Sequence, residues 1–447
     1  MLLRKNLRKQ LSKYKPYKIK GKITDITGNI IWATLPKVNL GEQCIIDGKV
    51  EGEVVGFKNN KAIILTYGNL EGVKVGGNVE ALSRPVIVKV GKELLGCIVD
   101  AFGNPINKQV TLKEKIEIKP EPINPLERAR IKEPLDLGIR AINGLLTVGK
   151  GQRIGIFAGA GVGKSTTLGM IARYTKTDVN VICLVGERGR EVREFIEDAL
   201  GEEGLKKSVV VVATSDNPPL VKVRSLFTAC AIADYFSYQG KDVLFLVDSF
   251  TRLAMAQREV GLSVGEPPTT KGYTPSVFNL IPQIIERAGA FVNRGSITGI
   301  YTVLVEGDDP HTDPIADAAI SFLDGHIVLS RQIANMRIYP AIDILKSISR
   351  LTPQIVPPDI LELQSVYIKI LSIYKEVEDM IKLGIYKKGT SQIVDMVIEV
   401  YPLLVNYIKQ RPEEYVSLKD SWQNLKELVD AIYKVAQKYN LNLKEIA

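Results

Sequence analysis

Ile154-Gly155-Ile156-Phe157-Ala158-Gly159-Ala160-Gly161-Val162-Gly163-Lys164-Ser165 decides how the rest of the chain is read. An apolar run of strand type ends in a glycine-rich turn, and a helical pattern begins near Ser165. Such a turn cradles phosphate. Its glycines let backbone N–H groups approach the oxygens, its lysine places a point charge on the outer phosphates, and its serine hydroxyl can hold Mg²⁺. The strict pattern has glycine first, where this chain carries Ala158; Gly161 and Gly163, nearest the phosphates, are kept. Gly159, Ala160, Val162 and Thr166 complete the expected nucleotide-binding set around Lys164 and Ser165. The competing reading is a glycine-rich strand-to-helix turn that holds no ligand.

At 447 residues the chain exceeds the size at which one core stops growing, so two or three domains are expected. Hydrophobic residues at 45% and charged residues at 24% describe an ordinary soluble globular protein. No window of about twenty uninterrupted apolar residues predicts a membrane span, and the start lacks the apolar core and cleavage site of a signal peptide. Cys44, Cys97, Cys183 and Cys230 are widely spaced, with only His311 and His326 beside them. That pattern suggests neither a zinc site nor a disulfide framework, and a reducing cytoplasm fits it best.

The net charge of +9 is concentrated at the start, where Arg4, Lys5, Arg8, Lys9, Lys13, Lys15, Lys18, Lys20 and Lys22 occur with no acidic residue. Leu3, Leu7, Leu11 and Tyr14 recur at helical spacing before Pro16. Residues 1–22 thus read either as a basic amphipathic segment that docks on a partner or an anionic membrane, or as a solvated terminus.

Three further parts make up the rest of the chain. Residues 23–85 alternate short apolar runs, such as 28–35, 43–46, 52–55 and 62–65, with Gly, Asn and Asp turns, which predicts a small β-barrel. Residues 86–352 alternate strand-like runs with helical patterns, which predicts an α/β domain with a mostly parallel sheet. Residues 353–447 carry helical periodicity over 359–385, 391–410 and 417–439, which predicts a C-terminal helical domain.

Two apolar runs of the α/β part end in chemistry. The run 181–185 stops at Gly186-Glu187-Arg188, and ligands of open parallel sheets bind beyond such strand ends. A carboxylate there orients or deprotonates water, and an arginine steadies phosphate charge. On spacing alone, an ion-paired turn is the simpler reading of Glu187 and Arg188. The run 243–247 stops at Asp248, the pattern of a strand whose carboxylate serves Mg²⁺, with Arg252 four residues on.

Gly186-Glu187-Arg188-Gly189-Arg190-Glu191, Asp248-Ser249-Phe250-Thr251-Arg252 and Gly265-Glu266-Pro267-Pro268-Thr269-Thr270-Lys271-Gly272-Tyr273 resemble the rotary ATPase family. Within it they are most similar to the flagellar type III protein-export ATPases. Residues 124–128, 140–143, 324–331, 339–343 and 347–350 extend the resemblance, which covers roughly residues 20–355. A RecA-like P-loop ATPase domain is the implied core.

The resemblance also implies roles. Lys164 binds the outer phosphates, Ser165 and Asp248 serve Mg²⁺, and Glu187 activates the hydrolytic water of ATP. Arg188 and Arg252 contact phosphate charge, Tyr339 stacks on adenine, and Arg350 is an arginine finger in the neighbouring subunit's site. Residues 266–273 form a loop facing the centre of a ring. A homohexamer is expected, because one chain carries both the loop and the finger. The implied partners are a stator-like regulator, a central stalk protein, the export gate, and export chaperones and substrates, at the cytoplasmic face of the membrane.

Several alternatives stay open: the ATPase of a virulence injectisome, an ATP synthase catalytic subunit, a nucleic-acid translocating ring and a non-hydrolysing ring component. The nucleic-acid reading needs basic, aromatic barrel faces, and Trp32, Phe57 and Tyr67 form no such cluster. Nucleic acid is therefore not expected as a partner.

Overall fold

A computed structural model describes residues 18–83, 85–118, 122–305 and 310–442. The basic pattern of residues 1–17 lies outside the described residues, but Lys20 and Lys22 do not belong to a tail. They sit in the strand Ile19–Thr27, whose alternation turns Ile23 inward at 2% exposure and its lysines outward.

That strand opens a closed six-stranded antiparallel barrel. Its order is Ile19–Thr27, Ile30–Thr34, Lys61–Thr66, Val50–Lys58, Gln43–Ile46 and Asn78–Ala81, and the last pairs back onto the first through Ile19 and Ala81. Small and branched side chains fill it, among them Ile31, Ala33, Ile46, Val54, Ile64 and Val79. The barrel is tied to the α/β part by a shared contact. Arg224 donates to the Tyr67 hydroxyl at 2.9 Å and lies over the Tyr67 and Phe102 rings, in a small core with Leu65, Leu220 and Val260.

The central sheet has eight strands in the order Ile342–Ser349, Gly325–Leu329, Arg153–Ala158, Ile297–Leu304, Val243–Asp248, Val179–Glu187, Ser208–Thr214 and Cys97–Val99. Every neighbouring pair is parallel except the first, which is antiparallel. The expected α/β fold with a mostly parallel sheet is therefore present. Burial on both faces explains why these strands read as unbroken apolar runs: Val179–Glu187 and Val243–Asp248 are buried at every position. Helices such as Pro219–Tyr238 cover one face and Lys164–Tyr174 the other.

Among the described residues, the C-terminal part holds three long helices, Pro358–Lys382, Gln392–Ile408 and Leu418–Lys438, after the short turn of helix Thr352–Ile355. Ser391 and Ser417 cap the second and third by accepting from Val394 and Asp420 backbone N–H groups. The helices are keyed to the ATPase core by side chains that reach its backbone: Gln364 donates to the Gly144 carbonyl at 2.7 Å and Trp422 to that of Asn143 at 3.1 Å. Among the described residues, no helix is long and apolar enough to cross a membrane.

Candidate active site

Arg153–Ala158, Ile297–Leu304, Val243–Asp248 and Val179–Glu187 are successive neighbours in the sheet, and their carboxyl ends meet at one edge. The phosphate loop leaves the first of them. Gly161 and Gly163 have φ of 76° and 87°, a left-handed conformation that side chains disfavour, so the loop's path depends on glycine there. Between them Val162 is 1% exposed and pins the loop to the core, while Ala160, Gly161, Ser165 and Thr166 stay open. The Thr167 hydroxyl donates to the Gly163 carbonyl at 3.0 Å and fixes the start of the helix Lys164–Tyr174.

Ala158 is explained by its position. It is the last residue of the strand, pairs with Leu304 and Leu329, and is fully buried among Ile154, Ile156 and Leu168. Its methyl group fills the core and lies outside the phosphate cradle.

Three charged side chains converge behind the loop. The Lys164 ammonium contacts Asp248 Oδ1 and stands 3.6 Å from Glu187 Oε1. Asp248, 3% exposed, also accepts from the Thr302 hydroxyl at 2.7 Å. Arg252 shares the same Glu187 oxygen: its Nε lies 3.1 Å from Oε1, and its Nη1 donates to the Gly186 carbonyl at 2.8 Å. Ser249 sets that arginine by capping the helix Phe250–Ser263, accepting from the Arg252 N–H at 3.4 Å.

Burial drives the chemistry of Glu187. At 8% exposure its charged form is desolvated, and the hydrogen bond that protonated Glu187 donates to the Glu191 carboxylate, together with the nearby Asp248 charge, acts in the same direction. Lys164 and Arg252 oppose them, and the net effect pushes the Glu187 pKa up to about 7. A carboxylate poised near neutral pH at a phosphate loop is suited to accept a proton from water.

The remaining expected residues divide. Tyr339 is 40% exposed, and a β-carbon on Gly163 would lie 3.5 Å from its ring, so the ring flanks the loop. Arg188 is not brought in. Its side chain is 77% exposed and pairs with Glu191 at 3.6 Å, because successive residues of extended backbone point oppositely and Glu187 takes the inward direction. Arg350 is exposed at the other edge of the sheet. The strand before it runs antiparallel to Gly325–Leu329, with Ser349 opposite Gly325. The six-residue strand Arg153–Ala158 spans about 20 Å, beyond an arginine's reach, so Arg350 is remote from its own chain's Lys164.

Thr302, Ser249, Glu191 and Arg331 join the site without having been singled out. Arg331 Nη2 reaches the Ala160 carbonyl at 3.3 Å. Thr302 touches Asp248 only because Ile297–Leu304 lies beside Val243–Asp248, a neighbourhood that comes from the strand order.

As for a metal, Ser165 and Asp248 offer hydroxyl and carboxylate oxygens, the hard donors Mg²⁺ takes. Asp248 already holds a cation, the Lys164 ammonium. The donor set fits Mg²⁺.

Comparison with known proteins places residues 138–349 in a nucleotide-binding domain family. A family model described as the ATP synthase alpha/beta family, nucleotide-binding domain, matches residues 138–349. One described as the T3SS EscN ATPase C-terminal domain matches residues 356–427. The flagellum-specific ATP synthase of Aquifex aeolicus is 47% identical over 436 residues, covering 95% of this chain and 98% of its own length. That of Bacillus subtilis is 48% identical, covering 91% and 94%. The assembled ATPase EscN from the type III secretion system of enteropathogenic E. coli superposes with a TM-score of 0.86 at 42% identity, covering 92% of this chain and 100% of that one. Similarity this high, spread over barrel, ATPase core and C-terminal helices alike, shows that the chain belongs to the ATP synthase alpha/beta family, in the branch of flagellum-specific and type III secretion ATPases.

Proposed function

We propose that this ATPase powers type III protein export during flagellum assembly, as a homohexameric ring on the cytoplasmic side of the export gate. The observation that carries the ring is the placement of Arg350. With Arg350 as the finger, the chain owns both halves of a catalytic site at opposite ends of its sheet strands, so a neighbouring copy is needed to join them. The relative EscN was solved as an assembled ATPase and in complex with its central stalk EscO. The flagellar assignment rests on identities of 47% and 48% to flagellum-specific ATP synthases, against 42% to a type 3 secretion system ATPase from Xanthomonas euvesicatoria.

In the cycle, the loop amides of Gly161, Val162 and Gly163 receive phosphate oxygens and Lys164 turns from Asp248 to the outer phosphates. Ser165 and Asp248 would hold Mg²⁺, which when bound would neutralise phosphate charge. Glu187 orients the attacking water and takes its proton. Arg252 keeps Glu187 in place through the ion pair and the Gly186 carbonyl. Tyr339 stacks on the adenine, and Arg350 of the adjacent copy meets the charge developing on the transferred phosphoryl group. The ring's output goes to export chaperones and substrates, with a central stalk and a stator-like regulator as further partners. The basic amphipathic segment in residues 1–17 contacts that regulator or anionic lipid.

The test is a mixing experiment. Arg350→Ala rings bind ATP and lose most turnover, and mixing them with Lys164→Ala chains restores part of it at junctions where an intact loop meets an intact finger. Dilute monomer hydrolysing ATP as fast per chain as the assembled ring would refute the shared site.

A further inference from the structure

Arg350 has an exposed head but a tightly specified root. Its backbone N–H donates to the Asp324 carbonyl at 2.9 Å and its Nη1 to the Leu323 carbonyl at 3.3 Å. Asp324 is in turn gripped by Arg153. Nε and the backbone N–H of Arg153 donate to Oδ2 at 2.9 and 3.0 Å, Nη2 donates to Oδ1 at 2.9 Å, and the Arg153 carbonyl accepts from the Asp324 N–H at 2.8 Å. The guanidinium is held from behind by Glu286, whose other oxygen pairs with Arg128 at 2.8 Å. Gln152 closes the arrangement by donating to both the Asp324 carbonyl and the Ser349 hydroxyl.

A fork of this kind fixes direction as well as distance, because two parallel donors meet two carboxylate oxygens in one plane. It holds the corner from which Arg350 projects. Arg153 is also the first residue of the strand whose last residue, Ala158, opens the phosphate loop. The grip is thus built into the chain's own nucleotide-binding strand.

We propose that Asp324 is the positioning residue for Arg350, with Arg153 as its clamp, so that this pair sets how the finger enters the neighbouring subunit's site. The inference rests on the reading that Arg350 completes that site. It predicts a specific failure. Asn at 324 offers one acceptor and turns an N–H₂ toward the Arg153 donors, which breaks the fork at almost unchanged volume. The loop lies at the strand's other end and is untouched.

The experiment uses full-length assembled rings. In Asp324→Asn, the affinity for a non-hydrolysable ATP analogue stays within about twofold and KM is unchanged, while kcat falls by about tenfold or more, short of the 10³–10⁵ a finger can supply. Arg153→Lys keeps the charge, loses the fork and shows a smaller loss of the same kind. Mixed rings separate positioning from general damage. Asp324→Asn chains mixed with Lys164→Ala chains regain turnover, because the second chain brings a well-placed finger to the first chain's intact loop. Asp324→Asn mixed with Arg350→Ala regains none, since both lack a working finger.

If Arg350→Ala is rescued by Lys164→Ala and Asp324→Asn is not, the positioning role is overturned and the finger stands. If neither is rescued, the finger reading fails and this inference fails with it.

Discussion

Titrating Glu187 is the sharpest test of the site. A carboxyl with an ordinary pKa of about 4.5 is ionised throughout neutral pH and would leave the rate flat there. Glu187 is pushed up to about 7, chiefly by burial, with Glu191 and Asp248 adding to it and Lys164 and Arg252 pulling against them. The base form is then about one tenth of the population at pH 6 and about nine tenths at pH 8, so kcat/KM should rise about tenfold across that interval. The sign comes from the chemistry: the proton acceptor is the deprotonated form, which is gained as pH rises. The assay is steady-state phosphate release by assembled rings at saturating Mg²⁺, since kcat/KM reports groups of the free enzyme. Glu187→Gln should bind ATP, fold normally and lose both the turnover and the rising limb. Arg252→Gln removes a cation 3.1 Å from the carboxylate and should move the limb to higher pH. A profile flat from pH 6 to pH 8, or one that survives in Glu187→Gln, would remove Glu187 as the base.

The loop and its flank carry two further expected outcomes. Ala158→Gly removes a methyl group that is wholly buried and adds backbone freedom to a strand, so the denaturation midpoint should fall by the equivalent of about 1–2 kcal/mol with kcat and KM within twofold; a several-fold tighter KM at unchanged stability would show that the methyl group does crowd the phosphates. Tyr339→Ala should raise the KM for ATP by about 5–160-fold, the range of losing one base–aromatic stack, while Tyr339→Phe stays near wild type; an unchanged KM in the alanine variant would place the base elsewhere.

Much of this architecture is legible in the residues. The fully buried strands Val179–Glu187 and Val243–Asp248 stand out as apolar runs, and the acids that end them are the residues the site uses. The three C-terminal helices show because each has an apolar stripe and two begin at a serine cap. The first barrel strand is hidden for a physical reason. Lys18, Lys20 and Lys22 add to a basic charge run, and their spacing of two, which marks the outward face of a strand, is lost in that total. Thr302 is hidden differently. Nothing about a threonine in an apolar run reveals that its hydroxyl meets Asp248, because sheet order places strands together that are some fifty residues apart in the chain. Arg188 shows the converse, a residue of the right type in the right motif that strand alternation turns away.

Lys164 touches Asp248 and Glu187, and Arg252 touches the same Glu187 oxygen. Two cations and two acids interlock, so each buried acid of the pocket has a cation beside it. Lys164 can leave Asp248 for a phosphate without stranding a buried carboxylate only when another cation takes its place. A divalent cation arriving with the nucleotide would fill that place, and the move of Lys164 from acid to phosphate would then be tied to the metal.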